Sequence, residues 1–60
     1  MKRVDLEDKL RALGWSPTGA PSGAHHLVWS HPRRSYKLYV PSYDLIFDAT
    51  AERLLAQAGG

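Results

Sequence analysis

Sixty residues, a net charge of +2 and no cysteine set narrow bounds. The length allows one small domain, 1–60, and the missing cysteines exclude disulfide scaffolds and thiolate metal sites, so one apolar core must hold the fold. No apolar run approaches the ~20 residues of a membrane span, and Asp5, Glu7 and Asp8 interrupt any secretory apolar stretch after Met1-Lys2-Arg3. The expectation is a cytoplasmic protein with no membrane role. A domain this small is marginal alone, which makes a protein partner part of the expectation, and the basic balance leans toward nucleic acid.

Residues 4–13 read as an amphipathic helix, with Leu6, Leu10 and Leu13 on one face of a 3.6-residue period. Acidic residues crowd its first turns and Lys9 and Arg11 follow, as the helix dipole favours. Asp5 or a nearby residue is the candidate cap, Gly14 the expected stop, and Trp15 a core residue just beyond it. Ser16-Pro17-Thr18-Gly19-Ala20-Pro21-Ser22-Gly23 is too rich in Pro and Gly for a long regular strand, so an irregular edge strand or a loop is expected.

Residues 25–31 read as a strand, and alternation sets His25, Leu27, Trp29 and His31 against His26, Val28 and Ser30. Pro32-Arg33-Arg34 is a turn, and residues 35–40 form the partner strand of a hairpin, ended by Pro41. In the connector 44–48, Leu45, Ile46 and Phe47 are expected to be at least partly buried, with Asp48 as N-cap of a second helix. Ala51, Leu54, Leu55 and Ala58 supply that helix's apolar stripe, and Gly59-Gly60 closes the chain. The fold class is therefore α+β, ordered α-β-β-β-α, with both helices on one face of a small antiparallel sheet. A helix-turn-helix needs adjacent helices, which this order lacks.

The chemistry concentrates in Gly23 to Pro32, where three histidines fall within seven residues and Arg33 and Arg34 follow at once. Histidine is suited to general acid or base work near neutral pH, and arginine or lysine to phosphate charge. Lys37 and Tyr39 share a strand face, where Tyr39 is a candidate to stack a base or to enter a partner interface. The blander readings stand beside these: an exposed strand histidine at His26, a solvated turn at Arg33-Arg34, a turn-stabilising hydrogen bond at His31. Since His25 and His26 point to opposite faces, they do not ligate one ion together, and no metal site is expected.

The order of elements and the residues at its joints resemble the HicA family of toxins from type II toxin–antitoxin pairs. The resemblance is carried by Leu10-Arg11-Ala12-Leu13-Gly14-Trp15, Gly23-Ala24-His25-His26, Trp29-Ser30-His31-Pro32, Tyr39-Val40-Pro41 and Thr50 to Gly59, in that order across nearly the whole chain. It implies a fold similar to the double-stranded-RNA-binding domain. It implies an mRNA endonuclease, without cofactor, and a HicB-like antitoxin that covers its active surface. The family's catalytic histidine maps to His26 or His25. Counting back from His31-Pro32 favours His26 as general base, with His25 or Tyr43 as candidate acid and Gly23, Arg33, Arg34, Lys37 and Tyr39 toward the RNA. Ala24 stands where the family often has serine, and Pro41-Ser42-Tyr43-Asp44 lacks the family's further histidine. These departures favour the alternative of a non-catalytic RNA-binding or partner-binding module on the same fold.

Overall fold

The computed structural model describes residues 1–21, 23 and 25–59, with the backbone alone for Pro21. Ala24, at the family serine position, and Gly60 lie outside the described residues. The order is α1 (Arg3–Ala12), β1 (Ser16–Pro21), β2 (His26–Ser30), β3 (Leu38–Pro41) and α2 (Asp48–Gln57). The strands form one antiparallel sheet in the order β1-β2-β3, so the expected α-β-β-β-α class is the observed one. No helix among the described residues is long and apolar enough to cross a membrane.

The helical stripes do what their spacing dictates. Leu6 and Leu10 of α1 and Ala51, Leu54 and Ala58 at α2 are buried against Trp15, Trp29, Leu38 and Val40 in one core cluster. Leu13 and Leu55 pack on its margin, partly buried. Each large side chain so buried contributes roughly 1.5–3 kcal/mol, and with so few of them each one matters.

The end of α1 is a Schellman motif. Trp15 N–H donates to the Leu10 carbonyl (3.0 Å) and Gly14 N–H to the Arg11 carbonyl (3.0 Å), with Gly14 at φ +97°. A Cβ at Gly14 would lie 2.6 Å from His31 Nε2. Gly14→Ala is therefore expected to destabilise by at least the ~1–2 kcal/mol of a left-handed non-glycine residue, read as a lower urea midpoint at unchanged slope.

Several local expectations are corrected. Asp5 does not cap α1; the N-cap is Lys2, without a side-chain bond, and Asp5 lies in the first turn. Asp48 is likewise the first helical residue of α2, behind an N-cap at Phe47. Its carboxylate accepts from the Met1 amino group (2.8 Å), and that hydrogen bond, then the charge, hold its pKa below the ordinary value.

β1 is the irregular edge strand anticipated as one of two options, with a register shift between Pro17 and Pro21. β3 is shorter than the expected 35–40 and includes Pro41, which pairs with His26. Residues 35–37 leave the ladder because Tyr36 turns to α2, where its hydroxyl donates to the Gln57 carbonyl. Proline is tolerated at position 41 because β3 is an edge strand with one side unpaired.

The connector before α2 departs most from expectation. Ile46 is buried (5% exposed), whereas Leu45 (72%) and Phe47 (85%) stand in solvent. Its backbone is held against the first residues: Lys2 and Leu45 form an antiparallel bridge, Arg3 N–H donates to the Asp44 carbonyl (2.9 Å), and Ile46 N–H donates to the Met1 carbonyl (2.8 Å). Neighbours along an extended chain point to opposite sides, so burying Ile46 turns Leu45 and Phe47 outward.

Candidate nucleic-acid interface

His26 opens β2 and is exposed, as is His25 just before it. Pairing of His26 with Pro41, and a bond from Ser42 N–H to the His25 carbonyl (2.8 Å), join this strand end to the start of the connector. The His25 ring stacks on Tyr43, with centroids 5.1 Å apart and planes 23° from parallel. The two candidate acids thus lie together beside the candidate base.

Two shallow clefts share His26 as a wall. The first, about 250 Å³, is lined on its apolar side by Pro41, Tyr43, Leu45, Ile46 and Phe47. The second, about 330 Å³, has a more polar wall that includes Lys37, Tyr39 and Gln57. Arg53 of α2 lines both clefts with His26. Among the described residues neither Arg53 nor Lys37 takes part in an ion pair; the pairs join Met1 to Asp48, Arg3 to Glu7 and Asp44, and Arg11 to Asp8. Both cations are therefore open to an anionic ligand.

The structure thus brings together His26, Lys37 and Tyr39 from the sequence candidates, while His25 lines neither cleft and meets the first only through its stacking on Tyr43. Lys37 comes from the segment before β3 rather than from a strand position. The remaining candidates lie elsewhere. Arg34 turns to the C-terminal end of α2: its guanidinium lies 6.0 Å from the Tyr36 ring centroid, and a Cβ at Gly59 would approach its Nη2 to 2.7 Å. A cation there complements the helix dipole. Arg33 is exposed in the turn, and Gly23 sits at φ +74° in the loop before β2; neither lines a cleft that contains His26.

Arg53 is the residue that sequence reasoning missed. Thr50, Arg53 and Gln57 form a polar stripe at i, i+3 and i+7 beside the core stripe. That stripe is visible in the sequence, but its facing His26 is a tertiary fact.

His31 has a different task. Its Nδ1 accepts from Arg33 N–H (3.0 Å), and its Nε2 lies 3.0 Å from the Leu13 carbonyl, which can only accept. The pair of bonds assigns the Nε2–H tautomer. This ring ties the end of α1 to the turn after β2 and packs edge-on to Trp15 at 5.3 Å. His31→Ala is expected to cost about 1–3 kcal/mol, because it strips its partner from the partly buried Leu13 carbonyl. Equilibrium urea unfolding checks this.

Among the described residues, no three His, Asp or Glu side chains converge. Comparison of the chain with protein-family models, with curated proteins and with solved structures gives no match.

Proposed function

We propose that this protein is an mRNA endonuclease of HicA type, the toxin of a toxin–antitoxin pair, acting in the cytoplasm and inactivated by a HicB-like antitoxin. It cuts RNA without a metal or other cofactor. The observation that carries this reading is the position of His26, an exposed imidazole on the wall common to two clefts that also share Arg53, an arginine in no ion pair among the described residues.

RNA carries its own nucleophile. His26 takes the proton of a 2′-hydroxyl, the 2′-oxygen attacks the adjacent phosphorus, and the bond from phosphorus to the 5′-oxygen breaks. The departing 5′-oxygen takes a proton from an acid, for which the candidates are Tyr43, which lines the first cleft with His26, and His25 stacked on it. Arg53 and Lys37 offset the extra negative charge on the phosphorane oxygens.

Incubation of the purified protein with mRNA in excess chelator tests this. Fragments ending in a 2′,3′-cyclic phosphate with a 5′-hydroxyl on the other side are expected. Intact RNA, or cleavage that stops on chelation, would overturn the proposal. The second reading, a module that binds without cutting, is favoured by the exposure of Leu45 and Phe47, which a partner surface would cover.

A further inference from the structure

We infer that the two clefts bind one single-stranded RNA segment, with an unstacked base in the Tyr43–Phe47 cleft and its phosphates against Arg53 and Lys37. This deepens the RNA reading and rests on it, but it concerns binding rather than cleavage. The two clefts differ in character. The first is apolar and aromatic, with Tyr43 half exposed (53%) and Phe47 almost fully so (85%). The second carries a lysine, a tyrosine and a glutamine. They meet at His26 and Arg53, so a ligand lying across both must be apolar and flat at one end and anionic beyond it.

A nucleotide strand has that character. Its bases present π-faces that stack on aromatic side chains, and its phosphates pair with cations. The first cleft, at about 250 Å³, lies below the ~300–1,000 Å³ of pockets for drug-sized ligands; it has room for one ring system. A base inside a duplex is already stacked and paired and does not enter. The family resemblance implies a fold associated with double-stranded RNA, but a fold does not decide its ligand, and here the cleft chemistry selects the single strand.

The assignment also moves the phosphate contacts. Arg53 and Lys37 face the cleft that holds His26, whereas Arg34 is engaged at the end of α2. Phe47 and Arg53 are exposed and lie outside the core cluster, so their substitution leaves the fold standing, which far-UV circular dichroism verifies.

Binding is measured by fluorescence anisotropy with a 2′-O-methyl oligonucleotide, which lacks the 2′-hydroxyl nucleophile, single-stranded and as a duplex of the same sequence. The single strand is expected to bind more tightly. Phe47→Ala is expected to weaken it about 5- to 100-fold, the range for losing one aromatic stacking partner. Arg53→Ala is expected to weaken it and to lower the slope of log affinity against log salt by about 0.7, one phosphate contact on a single strand. Lys9→Ala, the same charge change on α1, leaves affinity and slope unchanged.

Duplex preference, or wild-type binding by both Phe47→Ala and Arg53→Ala, overturns the inference. So does a wild-type protein that binds no RNA, while Phe47→Ala alters only its self-association or its hold on a protein partner. The two claims separate cleanly. Cleavage of unmodified RNA that is indifferent to Phe47→Ala keeps the nuclease and removes this cleft. Cleft-dependent binding with no cleavage by wild type keeps the cleft and removes the nuclease.

Discussion

His26→Ala is expected to lower the rate of RNA cleavage by about 10²- to 10⁴-fold, the usual contribution of a positioned general base. Stability should barely change, because the side chain is exposed and belongs to no core contact. Surface substitutions of this kind stay within about 0.5 kcal/mol. Two readouts separate a base from a residue that merely shapes the cleft. Added imidazole enters the space left by the ring and restores part of the cleavage. The affinity for a non-cleavable oligonucleotide stays close to that of wild type. In cells, induced wild-type protein is expected to arrest growth with loss of mRNA integrity, and His26→Ala to do neither. If the effect follows His25→Ala instead, the base lies one residue earlier and the nuclease stands. The stacking of His25 on Tyr43 makes that outcome a direct test of which ring is free to act. Wild-type protein that leaves mRNA intact removes both assignments.

Much of this architecture is legible in the sequence, because the physics that sets it is local. Leu6 and Leu10 mark one helix face by their spacing, and Gly14 ends the helix because glycine accepts a positive φ without strain. The hairpin of β2 and β3 follows from two strand-forming runs separated by a turn. The errors arise where a side chain answers to a distant partner. Tyr36 alternates correctly for a strand, yet its hydroxyl reaches the last turn of α2 and pulls residues 35–37 out of the ladder. Leu45 and Phe47 are apolar, but the connector is extended and can bury only one side, which Ile46 occupies. The candidate site divides in the same way. The family resemblance marks His26, and residue type and a shared strand face mark Lys37 and Tyr39. Arg53 lies far along the chain, and only the packing of α2 beside β3 brings it to them.

Trp15→Ala is expected to remove at least about a third of the folding free energy near 25 °C. Truncating a buried tryptophan costs about 3–5 kcal/mol, while a domain of 60 residues has roughly 3–9 kcal/mol in total. Trp15 is 1% exposed and joins three elements. It follows α1 directly, its ring meets Tyr36 at 5.5 Å, and its Nε1–H donates to the Ala58 carbonyl at 3.1 Å. The last carbonyls of a helix have no partner within it. At α2 two aromatic side chains supply them, Trp15 to Ala58 and Tyr36 to Gln57. Trp29 is equally buried, but among the described residues its Nε1 has no hydrogen-bond partner; only the Arg11 guanidinium lies over its ring, 5.1 Å from the centroid. Phenylalanine at each position separates packing from hydrogen bonding. Both changes remove a similar volume. Trp15→Phe also leaves a buried carbonyl unpaired, whereas Trp29→Phe discards a donor that was already unpaired. The first is expected to be more destabilising than the second by about 1–3 kcal/mol, the cost of one buried unsatisfied group, measured as the difference in urea unfolding free energies. Equal values would mean that the Trp15–Ala58 bond contributes nothing net and that shape alone holds α2 against the sheet.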